Sequence, residues 1–199
     1  MKLRVALPLL AVTVAGLWVW RSQLLVVWPG EPPRPLAVRP AEDRPLVNLD
    51  VALPAVPAGI RRLTSSEGPL LVHYWAPWER HARDQARSLD SLRREPDLVG
   101  LRVVMVCFDP FPSVMRYVAR QRLRLAVLLD GPGELRRTLP CPSLPYTYLL
   151  DRSGRIAAAQ PGEVDWWAPG TRAALARVLA ESAPDSQGAA VVPAAPPPL

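Results

Sequence analysis

The sequence predicts an α/β fold with a mixed central sheet flanked by helices, and three observations predict it. Apolar runs of strand length alternate with helix-periodic segments from residue 70 onward. The run Val103-Val104-Met105-Val106 lies between Gly100 and Asp109-Pro110, the composition of a buried central strand. The last two apolar runs are joined by Asp151-Arg152-Ser153-Gly154, a turn sequence that pairs them as a hairpin. A sheet parallel at its start and antiparallel at its end follows.

Residues 47–51 and 60–63 are short apolar segments, read as edge strands. Gly68-Pro69 marks a turn, and residues 70–75 form a buried strand. Pro77 opens a helix over 79–94, ending before Pro96. Its apolar positions Ala82, Ala86, Leu89 and Leu92 recur at three and four, so one narrow face is buried. A strand over 101–108 precedes a helix over 112–122, whose inner face is Val114, Tyr117 and Val118. Residues 125–129 are a strand closed by Asp130-Gly131-Pro132-Gly133, and 134–139 give one or two helical turns. Strands at 146–150 and 155–160 follow, then a helix over 169–181 with Pro169 in its first turn.

Composition sets the flanks and excludes some functions. Proline numbers 25 in 199 residues, crowded toward both ends. Residues 29–45 therefore read as a stiff, extended linker, and 182–199 as a disordered Ala/Pro-rich tail. The domain proper spans 46–181. The net charge of +6 rests almost wholly on arginine, since Lys2 is the only lysine. The arginines are dispersed, without the cluster of a nucleic-acid footprint, so no nucleic-acid partner is expected. Cys107 and Cys141 match no metal spacing and the chain has only two histidines, so neither metal nor cofactor is expected.

Residues 5–20 are apolar and uncharged, preceded by Lys2 and Arg4; a second apolar run reaches Trp28. Together, 5–28 are long enough to span a membrane if Arg21 snorkels to the interface. Trp18, Trp20 and Trp28 suit its boundaries. No small-x-small cleavage site follows, so an uncleaved signal anchor over 1–28 fits better than a cleaved leader. Arginines on both sides leave its orientation open.

The segment Trp75-Ala76-Pro77-Trp78-Glu79-Arg80-His81-Ala82, continued by Arg83-Asp84-Gln85, resembles W-A-x-W-C-x-x-C-R of thioredoxin-like proteins. The string Leu144-Pro145-Tyr146-Thr147-Tyr148-Leu149-Leu150-Asp151-Arg152-Ser153-Gly154-Arg155-Ile156 is similar to G-x-P-T-T-F-L-I-D-x-x-G-x-I of the same superfamily. Gly162-Glu163-Val164-Asp165-Trp166 before Pro169 completes a resemblance to the membrane-anchored TlpA/ResA/DsbE-type branch, over about 46–181. The resemblance implies a thioredoxin-like three-layer fold. It implies a cis peptide bond before Pro145, with the Leu144 backbone offered to an extended substrate segment. It also implies a domain held in the bacterial periplasm by an inner-membrane anchor.

The departure is at the cysteines. Glu79 stands at the first cysteine position and Ala82 at the second, so the dithiol chemistry of the family has no sulfur here. A carboxylate at a helix N-terminus keeps the negative charge of a thiolate without its nucleophilicity. The simplest reading is that Glu79 is a favourable first-turn residue; the sharper one makes Glu79, Arg80 and His81 a recognition surface. Glu79 and His81 form a candidate general-base pair, but no nucleophile is nearby in sequence. Cys141 is the candidate reactive thiol, and Cys107 a buried small hydrophobe or its disulfide partner. Trp166 and Trp167 cap the core or anchor a partner.

Three functions stay open. The favoured one is a redox-degenerate binding or assembly module in envelope-protein or cytochrome maturation. It would hold a protein partner or extended peptide at Trp75, Trp78, Glu79, Arg80, His81, Leu144 and Pro145. The second is a thiol–disulfide oxidoreductase using Cys141, with or without Cys107. The third is a purely structural thioredoxin-like subunit.

Overall fold

Alternation along the strands divides the core into two layers, one on each face of a single sheet. The computed structural model describes residues 32–181. The expected anchor at 5–28 and the tail at 182–199 lie outside them. Among the described residues no helix is long and apolar enough to cross a membrane.

The strands are β1 (Asp50–Val56), β2 (Ile60–Thr64), β3 (Leu70–Tyr74), β4 (Arg102–Cys107), β5 (Ala126–Leu129), β6 (Tyr146–Leu150) and β7 (Ile156–Pro161). Their order is β2-β1-β5-β4-β3-β6-β7. β3, β4 and β5 are parallel, while β6 pairs antiparallel to β3 and β7 antiparallel to β6, as the sequence predicts. β1 is antiparallel to both β2 and β5.

The helices are α1 (Ala82–Leu92), α2 (Phe111–Gln121), the short α3 (Glu134–Thr138) and α4 (Pro169–Glu181). Leu71 and Trp75 of the β3 segment join Met105, Cys107 and Val127 under α1, α2 and α4. Leu70, Val72 and Tyr74 face the other way, against Leu128, Leu135, Leu139 and the β1–β2 hairpin. Helix faces are set by the same spacing logic. Ala82, Ala86 and Leu89 of α1 are buried, as are Val114, Tyr117 and Val118 of α2.

Three expectations shift. The first strand lies at Asp50–Val56 rather than 47–51 and carries Pro54. β5 pairs only with its Ala55 and Val56, so the N–H that Pro54 lacks is not needed in that ladder. Helix α1 begins at Ala82, not at residue 79. Pro77 has no N–H and Trp78 to His81 form turns instead, with the Glu79 N–H bonded to the Ala76 carbonyl at 3.2 Å.

The third shift is the Pro-rich segment, whose described part is no free tether. The Arg34 N–H donates to the Glu163 carbonyl and the Arg39 N–H to the Ala157 carbonyl. The Leu36 N–H donates to Thr171 Oγ1 and the Ala37 N–H to Gln160 Oε1. Leu36 is 4% exposed, a burial that stabilises by about 2 kcal/mol. Arg44 is buried on Asp151 and Glu181 at 3.2 and 2.6 Å. Proline disfavours regular structure but not docking, and extended backbone with buried side chains suits it well.

The β6–β7 turn is fixed by Asp151, whose Oδ1 accepts from the Ser153 and Arg155 N–H groups and the Ser153 hydroxyl. Gly154 completes it at φ 78°, where an added Cβ would lie 2.6 Å from Ser65 Cβ, so no other residue fits.

Candidate functional site

The β3 strand delivers the chain to the carboxyl end of the parallel strands, where α/β sheets place their ligands. There Trp75 to His81 turn before α1 starts. Trp75 is 1% exposed and its ring packs 4.8 Å from Tyr117, so it walls the core beneath the turn and is not a surface contact. Trp78 is 70% exposed and Arg80 is also exposed. The expected binding pair of tryptophans therefore splits into one support and one contact.

Glu79 does not sit in the first helical turn. Its Oε2 accepts the Ala76 N–H at 2.8 Å, folding the carboxyl back onto the strand end. Burial, with a further contribution from Glu163, pushes its pKa up to about 7, against the backbone hydrogen bond. The reading of Glu79 as a helix-dipole residue is thus corrected: the helix that would supply the field begins three residues later. Asp84 is the acidic residue of the first turn.

The Leu144–Pro145 bond is cis, as the resemblance implies. Pro145 meets the turn at a small cavity of about 10 Å³, lined by His73, Glu79, His81, Ala82, Gln85, Pro145 and Glu163. Leu144 packs partly buried on the second core layer, just before the first β3–β6 pair, Tyr74↔Tyr146. Glu79, His81 and Pro145, singled out in the sequence, come together here; Arg80 and Trp78 stand at the rim of the same turn.

Three contributors were missed. Glu163 reaches His81 Nδ1 at 2.5 Å from the segment between β7 and α4. Gln85 takes the Trp166 Nε1–H at 2.6 Å and donates to the Val164 carbonyl at 3.1 Å, tying α1 to that segment. His73 is fully buried on β3, with Nδ1 3.0 Å from Thr147 Oγ1; burial lowers its pKa to about 3, so it is neutral. A histidine amid Leu-Leu-Val and Tyr-Trp was a visible signal. Trp166 is buried and Trp167 half-exposed beneath Arg172, so the pair is again one core residue and one surface residue.

Cys107 and Cys141 form no disulfide with each other; both are free. Cys107 is fully buried and Cys141 partly buried, its thiol donating to the Ser143 carbonyl at 3.1 Å. Burial pushes each thiol up to about 11, away from the thiolate that exchange requires. Among the described residues no group of three or more His, Cys, Asp or Glu is arranged to hold a metal ion.

No protein-family model matches the chain, and no curated protein matches it in sequence. Solved structures do resemble it. A protein assigned as thiol:disulfide interchange protein DsbE from Chlorobium tepidum superposes with a TM-score of 0.58 at 21% identity, covering 70% of this chain and 97% of that one. The thioredoxin domain of a thiol-disulfide oxidoreductase from Bacteroides vulgatus gives 0.56 at 13%, over 68% and 97%. Peroxidoxin BcpB from Mycobacterium tuberculosis gives 0.55 at 18%, over 71% and 97%.

The chain has a thioredoxin-like fold.

At these identities the likeness reaches the fold alone. One thioredoxin-like scaffold spans interchange proteins and a peroxidoxin, so chemistry must be argued from the residues at the turn. In this thioredoxin-like domain those residues are the Glu79 carboxyl, the buried Ala82 methyl and the cis-proline Pro145 that lines the same space.

Proposed function

We propose that the protein is a redox-degenerate thioredoxin-like binding module, membrane-tethered through residues 5–28. On this reading the domain lies in the periplasm of a bacterial inner membrane and serves envelope-protein or cytochrome maturation. Its partner is a protein presenting an extended segment. The observation that carries the reading is the turn itself: Glu79 and Ala82 replace the thiols while cis-Pro145 is kept. Exposed Trp78 supports it, because an aromatic side chain at the rim of a polar turn is a common anchor for a partner.

The test uses the full chain in membranes, with a photoreactive residue at position 79. The expected result is a crosslink to one discrete protein, weakened at least tenfold by Trp78→Ala. Crosslinking unchanged by Trp78→Ala overturns the recognition surface. Insulin reduction by the purified protein, abolished by Cys141→Ser, would replace this reading with the oxidoreductase; the raised thiol pKa values argue for no turnover.

A further inference from the structure

The buried imidazole of His73 has one ring nitrogen satisfied and one not. Nδ1 meets Thr147 Oγ1 at 3.0 Å, whereas Nε2 is buried without a hydrogen-bond partner. An unsatisfied buried polar atom costs about 1–3 kcal/mol, so a water able to reach it would be stabilising. His73 also lines the cavity behind the turn, together with Glu79, Glu163 and His81. Both histidines of the chain therefore border one space. At about 10 Å³ that space has the size of a single water, and His73, Glu79, His81, Gln85 and Glu163 bring polar side chains to its lining.

We propose that the cavity is a built water site, and that its water joins His73 Nε2 to the Glu79 carboxyl so that the pair stores one exchangeable proton beneath the turn. The donors and acceptors balance in two states. With Glu79 neutral, its O–H donates to the water, the water donates to Nε2, and Nδ1–H donates to Thr147 Oγ1. With Glu79 ionised, the water donates to the carboxylate, Nε2–H donates to the water, and Nδ1 accepts from the Thr147 hydroxyl. The states differ by one proton, released to solvent, and by the tautomer of a histidine that stays neutral throughout. Burial of both groups favours this neutral-ring exchange over forming an imidazolium.

Glu163 and His81, bonded to each other, face the cavity from the β7–α4 segment and the turn. Cys107 on β4, Cys141 before β6 and Tyr117 on α2 also interact electrostatically with Glu79.

The inference is tested on the free full-length protein, independently of any partner. Nitrogen-15 NMR reads the tautomer of His73, assigned with His81→Asn, which leaves a single histidine. The expected result is an Nδ1–H ring at pH 5 and an Nε2–H ring at pH 9, with a midpoint near 7. Glu79→Gln should abolish the switch, and Glu163→Gln should keep it with a lower midpoint, since the repelling carboxylate is gone. One tautomer across the whole range, or a switch that persists in Glu79→Gln, overturns the proposal. A high-resolution crystal structure should show one water within hydrogen-bond distance of both His73 Nε2 and Glu79; a water touching only one of them also overturns it.

Discussion

Glu79 couples folding to pH with a sign opposite to that of most carboxylates. Its folded pKa of about 7 lies above the ordinary value of about 4.3. The folded state then holds the proton more tightly than the unfolded chain, so stability is retained below about 4.3 and lost as pH rises through 7. Glu79→Gln should match the wild type at pH 4 and exceed it at pH 8 by about 1 kcal/mol, after allowance for solvent screening. Urea denaturation at both pH values measures this; equal stabilities at pH 8 would contradict the shifted carboxyl. At this scale the sequence was readable where a residue departed from a pattern, as Glu79 and Ala82 do. It was unreadable where a contact is made by folding. Nothing near Glu163 in sequence points to His81, and only a packed sheet and helix separate a buried Trp75 from an exposed Trp78.

Among the elements, α2 ends on a conformation its sequence resists. Arg122 is left-handed at φ 53°, and the N–H of Leu123 closes back to the Val118 carbonyl. This is a C-terminal cap that normally carries glycine, because a Cβ is disfavoured there by about 1 kcal/mol. Arg122→Gly should therefore raise stability by about 0.5–1 kcal/mol, and thermal unfolding should show a higher midpoint. Asp130 caps α3, its two oxygens accepting the Leu135 and Arg136 N–H groups at 3.1 and 3.0 Å. Asp130→Ala removes both and should cost about 1–2 kcal/mol, read as a lower denaturation midpoint. Periodicity located β6 and α4 well, since each has strong internal spacing and clear punctuation. It misplaced β1, where Pro54 and the cis Val56–Pro57 bond hid a strand inside a proline-rich stretch. It also started α1 early, because Glu79 back-bonds to Ala76 in a way that composition does not reveal.

Across the whole molecule, residues 33–45 are the largest departure from the sequence reading. Arg44 anchors them in a buried pair. Burial works to raise the Asp151 pKa, but hydrogen bonds from Ser153, Arg155 and Arg44 outweigh it and hold the carboxyl below its ordinary value. The pair's contribution is present above about pH 4 and fades as Asp151 protonates. Arg44→Met should lower stability by about 3 kcal/mol at pH 7, and by less at pH 3, measured by denaturant titration.

The same strap has a colloidal consequence. A seven-stranded open sheet has two free rims, and a bare rim invites edge-to-edge growth with another copy. At the β2 rim, Arg61 and the Arg62–Asp50 ion pair set charged side chains along the edge, which disfavours an approaching strand. At the β7 rim, the Arg39 N–H on the Ala157 carbonyl and the Ile156 N–H on the Pro45 carbonyl consume backbone groups that would otherwise template another strand. A chain starting at residue 46 should therefore form concentration-dependent aggregates at protein levels where one starting at residue 32 stays monomeric, as light scattering would show. The prolines that looked like a spacer thus help to keep the fold solitary.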